Sequence, residues 1–238
     1  MLPVLRILLG PLLLLQGRGV RKKILRMPEP DGERAGTTGE GPSLRLLILG
    51  DSSAAGVGAD HQDAALSGQI LRRLGKLRSV DFRILATTGW TTEDAVDALP
   101  QLESEIYDAA VICLGVNDIT TETGRKAWLR LYARLLQQLS DRHGVQLAVL
   151  VGMPPMGRFP ALPQPLRWYL GLQATAHDQA LGELAEKQAV AVHLPIRSAL
   201  PPSAAAEDGF HPGPLVYDEL GEVISETILS NLSKDGAD

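Results

Sequence analysis

The chain has 238 residues, 45% of them hydrophobic, which suits one domain of generous size or one domain plus a tail. Its single cysteine, Cys113, rules out an intramolecular disulfide, and the net charge of -5 argues against general nucleic-acid binding, which leaves a basic footprint. The charge is uneven. Residues 1–26 hold six basic groups and no acid, so a basic arm precedes an acidic remainder.

The arm, residues 1–27, carries an apolar stretch from Ile7 to Leu15 interrupted by Gly10 and Pro11. That stretch is too short for a bilayer span, which needs about 20 apolar residues. Three readings stand: an atypical secretory signal, an arm on an anionic membrane surface, and a segment packed on its own domain. They place the protein in the cytoplasm, peripherally on a membrane through residues 1–26, or outside the cytoplasm. Residues 28–43 are rich in Pro, Gly and charge with no apolar period, and read as a linker. The folded domain is expected over 44–232, with a tail at 233–238.

From Leu44 onward, short apolar runs alternate with helical patterns. Strands are expected at Leu44–Leu49, Phe82–Ala86, Ala109–Leu114, Leu147–Gly152 and Val190–Leu194, all continuous apolar runs of the kind covered on both faces. Between them, apolar residues recur at helical spacing over 66–77, 128–139, 165–187 and 214–231. In the third of these helices the inward stripe reads Leu172, Ala176, Ala180, Leu181 and Leu184. Thr92, followed by Glu93 and Asp94, suits the start of a shorter helix. The alternation implies a three-layer α/β/α sandwich around a parallel sheet, and such sheets bind ligands beyond the carboxyl ends of their strands.

Those strand ends carry chemistry. Gly50-Asp51-Ser52 follows the first strand, Thr88-Gly89-Trp90 the second and Gly115-Val116-Asn117-Asp118 the third; Asp208-Gly209-Phe210-His211-Pro212 lies one loop after the last. A serine hydroxyl attacks well only when a base takes its proton, and the imidazole of His211 is suited to that role. Asp208, three residues earlier, can fix the imidazole tautomer. The backbone N–H groups of Ser52 and Gly89 and the Asn117 amide can stabilise an oxyanion. A metal site built on Asp51, Asp118, Asp208 and His211 lacks a second well-placed histidine.

These four blocks, in this order, resemble the SGNH hydrolase superfamily of GDSL-type esterases and lipases, over about residues 44–230. The resemblance implies a five-stranded parallel sheet of flavodoxin-like topology, a Ser52, Asp208, His211 catalytic triad, and an oxyanion hole from Ser52, Gly89 and Asn117. It also implies hydrolysis of small-molecule or lipid-like acyl esters, of lysophospholipase, thioesterase or acetylesterase type, with no cofactor and no metal. Two positions depart from the pattern: Ser53 replaces leucine after the nucleophile, and Thr87 stands where many relatives carry asparagine. A non-catalytic, membrane-associated binding module on the same fold is the alternative.

The remaining polar residues have plainer readings. Asp51 and Asp118 are expected to hold loops. His193 reads as a satisfied, half-buried residue, His61, His143 and His177 as surface residues, and Cys113 as a small hydrophobe within a strand. The proline-rich stretch from Met153 to Arg167 leaves the fourth strand at the same rim. It either lines the substrate pocket with Phe159, Leu162 and Trp168 or merely covers the helix behind it. The Gly-Lys-Ser/Thr ending of a P-loop, the third dinucleotide-binding glycine and the Gly-x-Ser-x-Gly elbow are all missing from the first glycine-rich turn.

Overall fold

The computed structural model describes residues 2–23, 27–102, 105–196 and 201–232. Along the chain come α1 (Leu2–Lys23), β1 (Ala35–Thr38), β2 (Ser43–Gly50), α2 (Ser52–Ala55), α3 (Leu66–Leu74), β3 (Ser79–Ala86) and α4 (Thr92–Ala98). They are followed by β4 (Ala109–Cys113), α5 (Val116–Thr120), α6 (Arg125–His143), β5 (Leu147–Val151), α7 (Leu166–Ala185), β6 (Ala191–Leu194) and α8 (Pro214–Leu232).

The sheet order is β1-β3-β2-β4-β5-β6, parallel throughout except for β1, which pairs antiparallel with β3. Alternate residues of each strand face opposite layers. Leu47, Leu49, Ala110, Ile112, Ala148 and Leu150 join one core cluster with Trp128, Tyr132, Leu135 and Leu139 of α6. Leu44, Leu46, Ile48, Val80, Val111 and Val149 join the other with Leu66 and Ile70 of α3 and Ile224 and Ile228 of α8. Burial on both faces explains why these strands are uninterrupted apolar runs. Strand order reverses at β2, so the groove beyond its carboxyl end lies at a topological switch point.

The five expected strands all form, and there is a sixth. The stretch read as a linker supplies β1, whose Ala35–Thr38 pairs with Val80–Arg83 at the sheet edge. Its exposed Ala-Gly-Thr-Thr sequence is short and nearly side-chain-free, so no apolar period marks it. Main-chain pairing holds it, together with a salt bridge between Arg34 and Glu29 (2.8 Å).

Three helical details differ from expectation. Leu77 lies beyond the end of α3 and is 59% exposed. The cap of α4 is Thr91, which forms a capping box with Asp94. The neighbouring Thr92 is buried and turns to Asp118 instead. The buried stripe of α7 is Leu170, Ala174, His177, Leu181 and Ala185, rotated from the expected one. Both stripes are mostly apolar, so period alone could not choose between them.

Helix α1 packs on the start of α7. Leu13 and Val20 enter the first core cluster. Gln16 donates to the Gln164 carbonyl (2.8 Å) and accepts from the Leu166 N–H (3.1 Å). The packed-arm reading therefore describes one face of this helix. Among the described residues no helix is long and apolar enough to cross a membrane.

Candidate active site

Strand β2 ends against β4. A side chain at Gly50 would put its Cβ 2.3 Å from the Cys113 carbonyl oxygen, so only glycine fits there. The Asp51 N–H donates to that same carbonyl (3.0 Å), and the chain turns at once into α2. The Asp51 carboxylate caps α2 by accepting from the Ser53 N–H (3.0 Å) and the Ser53 hydroxyl (2.8 Å). Ser52 is thereby fixed as the first residue of the helix, at the sheet rim. The extra hydroxyl of Ser53 is spent on Asp51 rather than left free beside Ser52.

The structure brings Ser52, His211 and Asp208 together. His211 Nε2 lies 3.1 Å from Ser52 Oγ, and His211 Nδ1 lies 2.6 Å from Asp208 Oδ2. The other Asp208 oxygen accepts from the Phe210 N–H (2.9 Å) and the His211 N–H (3.0 Å). The Asp208 side chain is fully inaccessible. Burial pushes its carboxyl up, but the hydrogen bonds from the His211 ring and the two backbone N–H groups outweigh this and hold it below the usual carboxylate range. A tight turn carries the pair: Gly209 adopts φ +66°, and the Ala206 N–H donates to the His211 carbonyl (2.9 Å). The turn abuts Gly58 (φ +101°), where a Cβ would fall 2.2 Å from the Pro212 carbonyl oxygen.

Gly89 and Asn117 come to the same rim. The Thr87 N–H donates to the Gly50 carbonyl (3.2 Å) and the Trp90 N–H to the Thr87 carbonyl (3.1 Å), which lays the Gly89 turn alongside the end of β2. Gly89 adopts φ +90°. Asn117 donates from Nδ2 to the Trp90 carbonyl (2.9 Å) and stands 3.5 Å from Asp51 Oδ2. Among the described residues, the N–H groups of Ser52 and Gly89 have no hydrogen-bond acceptor.

Two buried acids support this arrangement. Asp118 accepts from the Thr92 N–H and hydroxyl (3.0 Å each), and the Trp128 indole donates to that hydroxyl (3.1 Å). Burial raises the Asp118 carboxyl. Burial likewise pushes Asp51 up to about 6, against the Ser53 hydrogen bonds. Both acids hold loops, in keeping with their sequence reading.

An apolar cleft of about 150 Å³ opens over Ser52 and His211. Val116, Met153, Phe159, Ile196, Phe210 and Leu220 line it, together with Arg158. Phe159 stacks edge-on against Phe210, ring centroids 5.2 Å apart. The other two expected wall residues lie elsewhere. Leu162 is 3% exposed within the first core cluster, and Trp168 points to solvent on α7 at 43% exposure. The proline-rich loop turns inward only over its first half. Asp178 Oδ1 pins that half by accepting from the Met153 N–H (2.9 Å). The same oxygen contacts His193 Nε2 at 2.9 Å, so His193 has its partner.

His143 and His177 are buried, not surface residues, because α6 and α7 each turn them into the protein. Their Nδ1 atoms lie 2.8 Å from the carbonyls of Glu105 and Gln173, respectively. His61 is exposed and caps a short turn. Cys113 is buried in the second cluster.

Sequence reasoning missed Glu29. Its carboxylate accepts from the Thr88 N–H (2.8 Å) and hydroxyl (2.9 Å), fastening the Gly89 turn from outside. Burial acts against the charge, but the Thr88 and Arg34 contacts prevail and hold the Glu29 carboxyl below its ordinary value. Glu29 sits among prolines and charges with no period around it, so nothing local marked it. Its bonds to Thr88 also hold the turn that Thr87 opens.

Fold and site together define an α/β sandwich of flavodoxin-like strand order with a hydrogen-bonded serine, histidine and aspartate at its switch point. The model of the GDSL-like Lipase/Acylhydrolase family matches residues 48–218, and the chain belongs to that family. It is 32% identical over 193 residues to the GDSL-like esterase Rv1075c of Mycobacterium tuberculosis, covering 73% of this chain. The chain spans 58% of the length of that curated relative. Among solved structures, it superposes on TesA with a TM-score of 0.60 at 20% identity, covering 77% of this chain and 97% of that one. An inhibitor-bound aryl esterase of M. smegmatis gives 0.62 at 19% identity, covering 79% and 99%. At that identity the two superpositions speak for the fold.

Proposed function

We propose that the protein is a serine esterase that hydrolyses carboxylic esters through an acyl-enzyme. The observation that carries this reading is the Ser52–His211–Asp208 hydrogen-bond chain beneath an apolar cleft. Ser52 Oγ attacks the ester carbonyl while His211 Nε2 takes its proton, and Asp208 steadies the resulting imidazolium without itself becoming protonated. The N–H groups of Ser52 and Gly89 and the Asn117 amide receive the oxyanion. Collapse of the tetrahedral intermediate expels the alcohol, which takes the proton from His211. A water then gives its proton to His211, attacks the acyl-enzyme and releases the acid.

The acyl group belongs in the apolar part of the cleft, against Phe159, Met153 and Leu220. That lining favours esters with an aliphatic or aromatic acyl group over highly polar ones. Family membership and the relatives' names support ester hydrolysis without choosing among these substrates.

A fluorophosphonate probe tests the nucleophile. Wild type should be labelled and Ser52→Ala should not be, with p-nitrophenyl ester hydrolysis lost in parallel. Folded wild type that resists the probe would leave only the binding-module alternative, and a labelled Ser52→Ala would move the reaction to another serine. A panel of acetyl, butyryl, long-acyl and thioester substrates then ranks the acyl group.

A further inference from the structure

Helix α1 has two faces. Leu13 and Val20, seven residues apart and so on one stripe, face the core. Away from that stripe Leu15 points outward at 68% exposure, and Leu14 and Leu12, one on each flank, are 56% and 43% exposed. Arg18 and Lys22 continue that outer face toward the C-terminal end of the helix and are also exposed. The outer surface therefore passes along the axis from leucines to cations. Three leucines left partly in water across the outer face and flanks of one helix are unfavourable, since much of their surface stays in solvent in the single chain.

We propose that α1 is a membrane-docking helix. Its outer leucines enter the acyl boundary of an anionic lipid surface, and Arg18 and Lys22 meet the phosphate head groups. Charge complementarity selects this occupant. The first 26 residues carry six basic side chains and no acidic one. A second copy pairing through α1 would bring a further set of cations and no acidic partner from its own first 26 residues. An anionic surface is drawn to the same array, and each basic group near it raises partitioning about five-fold.

The helix is also tied to the cleft. Gln16 bonds the backbone on both sides of Pro165, at the end of the loop whose earlier residues Met153, Pro155, Phe159 and Pro160 line the cleft. Docking through α1 would hold the end of that loop at the lipid surface and, through it, favour esters presented by the bilayer.

Co-sedimentation of the full chain with phosphatidylcholine vesicles, with and without phosphatidylglycerol, tests the proposal. Wild type should bind the anionic vesicles, and binding should weaken as salt rises. The triple variant Leu12→Gln, Leu14→Gln, Leu15→Gln and the double variant Arg18→Glu, Lys22→Glu should each reduce binding about ten-fold or more. These side chains are exposed, so both variants should keep the wild-type melting temperature. If the triple variant fails to fold, the charge variant alone decides. Wild type that ignores anionic vesicles, or variants that bind them as well as wild type, would overturn the proposal. So would a leucine variant that turns a dimer into a monomer, for then a second copy covers this face.

Docking stands apart from the catalytic reading; only a second readout rests on it. Turnover of a short water-soluble ester should be unchanged in both variants, while turnover of a vesicle-embedded ester should fall with binding. Vesicle binding without any turnover would sink the esterase reading and leave docking intact.

Discussion

Asp51→Asn should make the protein more stable at neutral pH. Asp51 is 4% exposed, and its folded carboxyl is pushed from 3.8 to about 6, chiefly by burial. In the unfolded chain the group ionises at the lower value. Stability is therefore unaffected below the unfolded pKa, falls between the two values, and stays reduced above about 6. A tenfold change in proton affinity corresponds to about 1.36 kcal/mol, so ionised Asp51 costs roughly 3 kcal/mol at pH 8. Asparagine has the same shape and no charge. Its oxygen can accept the two Ser53 hydrogen bonds, while its amide would face the Asn117 amide at the present 3.5 Å contact. That second mismatch is weak, so a gain of about 2–3 kcal/mol should survive, equivalent to roughly 5–10 °C in Tm. Urea melts of wild type and variant across the acid to neutral range measure it. The difference should be smallest below about pH 4, open between there and about 6, and stay constant above that. A difference that does not change with pH, or a wild type more stable at pH 8, would refute the reasoning.

Asp208→Asn should act in the opposite direction on stability, because its folded carboxyl is held low: the wild type gains stability above the unfolded pKa and loses it as pH falls. The same variant should lower kcat by about 10⁴, by analogy with other triads, and a loss under about ten-fold in a p-nitrophenyl ester assay would remove Asp208 from the proposed triad. Asn117→Ala should lower kcat by about 10²–10³ with little change in KM, since its amide is assigned to the transition state; a pure KM effect would argue for substrate binding instead. Gly58→Ala should destabilise the fold by about 1–3 kcal/mol, because its Cβ meets the Pro212 carbonyl in a left-handed backbone. Turnover should fall as well, because Pro212 adjoins His211; a thermal melt and a rate assay together check this.

The sheet was legible because each central strand is apolar on both faces, and only a strand covered by helices on either side reads that way. The edge strand Ala35–Thr38 was not legible. It is held by main-chain bonds to β3, and main-chain bonds leave no trace in side-chain pattern. The stripe of α7 failed for a related reason: two apolar stripes compete, and the packing of Trp128 near His177 chooses one.

The chemistry of the site is written in local sequence. Ser52, Gly89, Asn117, Asp208 and His211 each follow or lie near a strand end, and a parallel sheet gathers such ends on one rim. What surrounds them depends on the folded chain. Phe159 reached the cleft while Leu162 sank into the core and Trp168 turned to solvent, because the Asp178 carboxylate and the Gly209 carbonyl hold the proline loop by accepting from the Met153 and Ala161 N–H groups. Glu29 came to the Gly89 turn from a distant, patternless stretch. Local spacing specifies which groups a strand end offers; the partners that hold them there are distant in sequence, and only folding brings them within reach.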